Sequence, residues 1–227
     1  MKQKFTILFD LDGTLVDTAP DLMLAHNHVM KKFGYPTKST EDIRNLVGKG
    51  AGALIGRSIW GQAKKEFSKV LDEKIKDEMV KEFVNFYGKN IVNESTLVTG
   101  VKDFLIWCKE QNISMAVCTN KQEHLSNDLL KKIGIYDFFE YVAGSDTFDY
   151  CKPDPRHLTN VVEILDGDLK KTIMIGDSET DANAGKAAEI PVILLENGYT
   201  EKNTTEIYHN HLIKDFTGIE KIIKEYL

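Results

Sequence analysis

Thr6-Ile7-Leu8-Phe9-Asp10-Leu11-Asp12-Gly13-Thr14-Leu15-Val16-Asp17 is a short apolar run that ends in two acids and a glycine. An apolar run without alternation reads as a strand buried on both faces, the habit of parallel sheets. Asp10 and Asp12 are two residues apart, so they leave the strand on the same side. Gly13 then permits a tight turn. Two ionised carboxylates about 4 Å apart repel by roughly 4 kcal/mol at an effective dielectric of about 20. A chain that builds such a pair at a strand end needs a cation or a proton there. Asp and Gly are also common turn residues, and taken alone the pair reads as a strand-end turn. The rest of the chain tips the balance.

Three more runs share this character: Ser114 to Cys118, Thr172 to Ile175 and Val192 to Leu195. Helical periodicity lies between them. Val101, Phe104, Leu105 and Cys108 form one stripe, and Leu158, Val161, Val162 and Leu165 another. Leu125, Leu129 and Ile133 mark a helix that ends at Gly134. Strands alternating with helices predict an α/β fold, a doubly wound parallel sheet of the Rossmann-like kind. A last helix, from about Phe216 to Leu227, is expected to cover one side.

The segment from about Thr18 to Asn90 breaks the rhythm, with no clear strand. Leu22, His26, Val29 and Phe33 mark a helix that starts near Thr18 with Pro20 in its first turn. Ile75, Met79, Phe83, Phe86 and Tyr87 mark a second. Between them lie shorter helical stretches and the glycine-rich Val47-Gly48-Lys49-Gly50-Ala51-Gly52. The expected division is a core of residues 1–16 and 92–227 with an inserted all-helical cap domain, residues 17–91. Linkers are expected near Val16 to Thr18 and Val92 to Val98.

With 227 residues the chain can bury a sizeable core. A net charge of -6 argues against a general nucleic-acid binder. Cys108, Cys118 and Cys151 lack metal-site spacing, and their odd number fits reduced thiols in a cytoplasmic protein. No apolar run approaches the ~18 residues of a membrane span. The run after Met1-Lys2-Gln3-Lys4 stops at Asp10, too early for a signal-peptide core.

Three further clusters stand at predicted strand ends or just before a helix. They are Thr119-Asn120-Lys121, Lys152-Pro153-Asp154-Pro155 and Gly176-Asp177-Ser178-Glu179-Thr180-Asp181. Ligands of open α/β sheets bind outside the carboxyl ends of the strands. Asp10, Asp12, Asp177 and Asp181 are therefore expected to meet there with a hydroxyl, an amide and an ammonium. Singly, Lys152 reads as a solvated lysine, and Thr119 and Ser178 as helix caps.

Together and in this order, Asp10-x-Asp12-Gly13-Thr14, Thr119-Asn120, Lys152-Pro153 and Gly176-Asp177-Ser178-x-x-Asp181 resemble the four motifs of the haloacid dehalogenase-like hydrolases. The resemblance spans nearly the whole chain. Within that superfamily the strings Asp10 to Leu22, Thr119 to Lys121 and Val47 to Ala51 look most like phosphoglycolate phosphatases. The resemblance implies that Asp10 attacks phosphorus to form an aspartyl-phosphate, and that Asp12 protonates the leaving oxygen and later takes a proton from water. It implies Mg²⁺ on Asp10, the backbone carbonyl of Asp12, and Asp177, because an anion attacks an anionic phosphate only when charge is offset. Asp181 would hold a metal-bound water or orient Lys152. Gly13, Thr119, Asn120 and Lys152 would bind the phosphate.

Selectivity should come from whatever closes over the leaving group. Arg44, Gly48 and Lys49 are the cap candidates, since a small acidic leaving group wants a cation. Gly48 ending a helix and Arg44 as a solvated surface residue is an equally good account. The implied partner is a small phosphorylated metabolite, for a monomer or homodimer without nucleic-acid or membrane partners. The alternatives are a phosphatase of sugar phosphates, nucleotides, pyridoxal phosphate or pyrophosphate, a phosphomutase, and a non-enzymatic phosphate-ligand binder. Asp17 is expected to cap the first cap helix. Glu189 stands where relatives usually carry glycine, and Arg156 is expected at the rim of the site.

Overall fold

Strand β1 (Thr6–Phe9) is the axis of the molecule, and all four of its residues are buried. The computed structural model describes residues 4–66 and 73–227, with the side chains of residues 60–66 left aside. Met1 to Gln3, where the signal-peptide reading begins, and part of the stretch read as shorter helices lie outside the described residues. After β1 the chain runs through β2 (Val16–Asp17), α1 (Ala19–Phe33), α2 (Thr40–Arg44), α3 (Ala51–Glu66), α4 (Glu73–Lys89) and β3 (Thr96–Leu97). It continues as α5 (Val101–Glu110), β4 (Ser114–Cys118), α6 (Glu123–Ile133), β5 (Tyr141–Ala143), α7 (Arg156–Ile164) and β6 (Thr172–Gly176). Helix α8 (Glu179–Ala187), β7 (Val192–Leu195), β8 (His211–Ile213) and α9 (Glu220–Ile223) complete it.

Six strands form one parallel sheet in the order β5-β4-β1-β6-β7-β8. The four runs picked out by sequence are β1, β4, β6 and β7, and every residue in them is buried. Side chains alternate across this sheet. Phe9 joins Phe104 and Phe216 on one face, while Leu8 joins Leu158, Val161 and Met174 on the other. Strands β5 and β8 escaped the sequence reading because they are three-residue edge strands, only partly buried, with Tyr141 and His211 among them. The last helix is shorter than expected. Phe216 packs against Phe9 and Phe104, and the chain then turns through Gly218 at φ 78° before α9 can begin.

Register is what positions the site. Phe9 lies opposite Val117 on one side and Ile175 on the other. Asp10, Thr119 and Asp177 therefore emerge at the same carboxyl edge, and the Asp10 N–H still donates to the Ile175 carbonyl at 2.9 Å.

The helical insertion starts at Thr18 with Pro20 in its first turn, as the sequence predicts. Its α1 and α3 both pack on α4, and their apolar residues run into the same core cluster as β1. The two linkers pair with each other as an antiparallel ribbon, Val16 opposite Leu97 and Asp17 opposite Thr96. Buried Asp21 clamps the ribbon to α1, its carboxylate accepting the N–H groups of Asn93, Glu94 and Ser95 and the Ser95 hydroxyl. The passages expected to be linkers are thus held together by backbone pairing and one carboxylate.

Glu189, between α8 and β7, has φ 57°, a left-handed conformation costly for a residue with a Cβ. Glu189→Gly should stabilise the protein by about 0.5–1 kcal/mol, the relief being offset in part by the greater freedom of glycine in the unfolded chain. A urea midpoint that falls or stays level would contradict this account.

Candidate active site

Three buried acids and one buried lysine share the carboxyl edge of β1 and β6. Carboxylate oxygens of Asp10, Asp177 and Asp181 lie within 4.8 Å of one another. Lys152 Nζ stands 2.9 Å from Asp10 Oδ1 and 2.5 Å from Asp181 Oδ1. Lys152 is 3% exposed and Asp10 6%, so these charges are barely screened by water. Burial pushes the Asp10 carboxyl up to about 6, with the Asp181 and Asp12 charges adding and Lys152 opposing. Burial also holds Asp177 well above the usual carboxylate range, helped by Asp10 and Asp181. Lys152 moves the other way. Burial disfavours its ammonium, yet Asp10 and Asp181 raise its pKa above the ordinary lysine value.

One ammonium does not balance three carboxylates. The donors are hard oxygens, the set that suits Mg²⁺ and not a soft metal, so the residues fit that ion. Asp181 is occupied at both ends. Its Oδ2 accepts from Ser178 Oγ at 2.7 Å and from the backbone N–H of Ser178 and Asp177, capping α8, while Oδ1 holds Lys152. Of its two expected jobs, the geometry is that of orienting Lys152.

Asp12 points elsewhere. Its Oδ1 accepts from Thr18 Oγ1 at 2.7 Å and its Oδ2 from Lys121 Nζ at 2.8 Å. The two acids that begin side by side thus have separate ammonium partners, Lys152 for Asp10 and Lys121 for Asp12. Gly13, the next residue, sits where a side chain has no room. At φ 83°, a Cβ there would lie 2.2 Å from Asp177 Oδ2. Its N–H, however, donates to the Val16 carbonyl at 2.8 Å, so the expected phosphate contact from Gly13 is not available.

Thr119 Oγ1 accepts from the Lys121 N–H at 3.2 Å, which leaves its hydroxyl hydrogen for a ligand. The side-chain amide of Asn120 is committed differently from expectation. It donates to the Lys152 carbonyl at 2.9 Å and to the Gly48 carbonyl at 3.1 Å, tying the glycine-rich loop to the sheet. At φ 99°, Gly48 takes a conformation that favours glycine in this approach.

A cavity of about 250 Å³ lies between the strand ends and the helical insertion. Asp10, Asp12, Thr119 and Asn120 line it from the sheet, and Gly48, Lys49, Phe83 and Tyr87 from the insertion. Arg44 does not line it. Its guanidinium donates to Asp17 Oδ2 at 2.7 Å and stacks over the Tyr199 ring. Asp17 accordingly serves Arg44 and the Tyr199 hydroxyl, and the N-cap position of α1 belongs to Thr18. Arg156 is also outside the cavity lining, paired with Asp154 and stacked on Tyr150. His157 accepts the Lys152 N–H, its imidazole held neutral by burial and by Lys152, which push its pKa down to about 4. Buried Cys118, its thiol pushed up to about 12 by burial, fits the packing role expected of it.

Sequence reasoning gave no role in the site to Lys121, Tyr87 or Tyr199. Lys121 was within reach, since it follows Thr119-Asn120 at a strand end. Tyr87 read as one apolar position of a helical stripe. Tyr199 has no local signal, lying in a loop beyond β7, yet its N–H donates to Asp177 Oδ2 at 2.6 Å and its hydroxyl to Asp17.

The model of the haloacid dehalogenase-like hydrolases matches residues 7–195. A phosphoglycolate phosphatase of Mesorhizobium japonicum is 36% identical over 221 residues, 97% of this chain and 95% of that protein. A phosphoglycolate phosphatase of Caulobacter vibrioides is 37% identical over 95% of this chain and 89% of its own length. The crystal structure of a predicted phosphoglycolate phosphatase from Haemophilus somnus 129pt superposes with a TM-score of 0.90 at 31% identity, covering 98% of this chain and 99% of that one. This chain belongs to the haloacid dehalogenase-like hydrolases. No described helix is long and apolar enough to cross a membrane.

The raised carboxyl pKa values fix the sign of a metal effect. A carboxyl whose folded pKa exceeds its unfolded value favours folding at low pH and loses that contribution as pH rises through the folded value, here about 6 for Asp10. A cation relieves that loss only where the acids are ionised. Mg²⁺ should therefore raise Tm more at pH 8 than at pH 5 in thermal melts of the metal-stripped protein. An equal rise at both would argue against these carboxylates as ligands.

Proposed function

We propose that this chain is a Mg²⁺-dependent phosphomonoesterase that works through an aspartyl-phosphate on Asp10, with 2-phosphoglycolate as its substrate. The observation that carries the reading is the split between the two acids. Asp10 sits in the carboxylate cluster with Lys152, and Asp12 faces the cavity from a different set of partners. One acid is placed to attack and the other to move a proton. The substrate comes from the relatives, which carry that name across nearly their full length.

In this reading a carboxylate oxygen of Asp10 attacks phosphorus while the ester oxygen departs with a proton from Asp12. Water then attacks the phosphorus of the acyl phosphate, giving its proton to Asp12. This releases inorganic phosphate and restores both carboxyl groups. Lys152, held by Asp181, orients Asp10 and offsets charge on the phosphoryl oxygens. The Thr119 hydroxyl donates to one of those oxygens. Mg²⁺ held by Asp10, Asp177 and the Asp12 carbonyl would offset the remaining negative charge when bound.

Residues 17–91 serve as the cap and residues 1–16 and 92–227 as the core. The cap lies against the core here, through Asn120 on the Gly48 carbonyl and through the Arg57–Glu201 pair. Closure of this kind keeps water from the acyl phosphate until the leaving group has gone. The thiols Cys108, Cys118 and Cys151 are unpaired, which supports a cytoplasmic location.

Phosphate release in the presence of Mg²⁺ should be greatest for 2-phosphoglycolate in a panel that includes sugar phosphates, nucleotides, pyridoxal phosphate and pyrophosphate. Asp10→Asn should reduce release to background, and Asp12→Asn should lower kcat about 10²–10⁴-fold. Retained turnover in Asp10→Asn would remove the nucleophile. Arg44→Ala should leave KM for 2-phosphoglycolate within about twofold, since Arg44 is spent on Asp17. A tenfold rise in KM would return Arg44 to the cavity.

A further inference from the structure

Lys121 is a buried cation that the motif-based mechanism leaves without a task. It directly follows Thr119 and Asn120, and its side chain is 5% exposed. Nζ donates to Asp12 Oδ2 at 2.8 Å and stands 4.5 Å from the centre of the Tyr87 ring. An ammonium has three hydrogens. One goes to Asp12, and among the described residues no second carboxylate or carbonyl accepts from it. Lys121 and Tyr87 both line the cavity, and among the described residues the buried Tyr87 hydroxyl has no hydrogen-bond partner. Such groups are costly to bury unless something polar completes them.

The place of that missing partner follows from Asp12. If Asp12 protonates the leaving oxygen, that oxygen must come within hydrogen-bond reach of its carboxyl. Lys121 Nζ is already within that reach of the same carboxyl. Atoms one or two bonds beyond the leaving oxygen therefore lie beside Lys121, under Tyr87. A carboxylate there would meet a desolvated ammonium, a charge-assisted contact that an uncharged group cannot match. Lys49, the cation expected from sequence to fill this role, lines the cavity from the glycine-rich loop and makes no such contact with Asp12.

We infer that Lys121 is the residue that determines leaving-group specificity, its ammonium taking the carboxylate carried next to the ester oxygen while Tyr87 closes over it. This inference rests on the phosphatase reading above and adds the chemical feature that is selected. A substrate bearing a carboxylate on the carbon attached to the ester oxygen is preferred over one bearing a neutral group there.

The test compares 2-phosphoglycolate with 2-hydroxyethyl phosphate, in which a hydroxymethyl group replaces the carboxylate. Steady-state phosphate release with Mg²⁺ gives kcat/KM for each, in the native protein and in Lys121→Met, Lys121→Arg and Lys49→Met. Lys121→Met disturbs Asp12 for both substrates, so the ratio of the two kcat/KM values isolates the carboxylate. That ratio should fall at least tenfold in Lys121→Met, mostly through KM for 2-phosphoglycolate. Lys121→Arg should keep part of it, and Lys49→Met should leave it in place. If Lys121→Met does not fold, Lys121→Gln reads the same ratio. Equal losses on both substrates, or a ratio that collapses in Lys49→Met instead, would overturn the inference. A native protein that hydrolyses both substrates equally well would overturn it too, leaving the phosphatase reading intact. A native protein that releases phosphate from neither, nor from any ester in the panel, would end both.

Discussion

The burial of Lys152 against Asp10 and Asp181 is the interaction on which the rest of the site depends. Neither acid would be tolerated at this depth without a counter-charge, and the lysine would not stay charged without the acids. Their separation is set by the sheet. Asp10 and Asp177 leave adjacent parallel strands in register, and Asp181 returns to them through the first turn of α8. Lys152 comes from the loop ahead of α7 and fills the space between. Even so, carboxylates outnumber ammonium groups here, and Asp10 and Asp177 resist ionisation, first through burial and then through the neighbouring carboxylates, Asp181 beside both of them. That surplus is the physical reason a hard divalent cation belongs with the cluster.

A second ammonium, Lys121, resolves the other half of the acid pair by drawing Asp12 toward the cavity. The consequence is a division of labour that neither acid has alone. Asp10 lies within the charge cluster, where a nucleophile can be held, and Asp12 faces the space where a leaving group would sit. Tyr199 joins this chemistry to the helical insertion. Its backbone touches Asp177, and its hydroxyl lies between Asp17 and the first N–H of α1. The start of the insertion is thereby attached to the acid cluster by a single residue. Together with the β2–β3 ribbon and the Asp21 clamp, this makes the entry to the insertion a defined joint.

Much of this was legible in the residues. The central strands announced themselves because they are buried on both faces and so lack polar alternation. Helix boundaries at Thr18 and Gly134 followed from local signals, Pro20 in the first turn of one helix and glycine at the end of the other, whereas Glu189 stood out only against the glycine that relatives carry there. Edge strands β5 and β8 did not, because three half-exposed residues carry too little pattern. Arg44 and Asp17 were misplaced for a related reason. Their contacts are with Tyr199 and with each other across 27 or more positions, and no spacing rule reaches that far.

The sequence by itself determined the class of fold, the order of the four motifs and the residue types at the strand ends, since these follow from periodicity and local turn chemistry. Tertiary structure decided which charge meets which. It gave Lys152 to Asp10 and Lys121 to Asp12, and it turned the Gly13 N–H and the Asn120 amide away from phosphate duty. It also left Lys121 beneath Tyr87 in place of Arg44 as the buried cation of the cavity. Such pairings depend on distances between side chains far apart in the chain, and burial makes each ångström count.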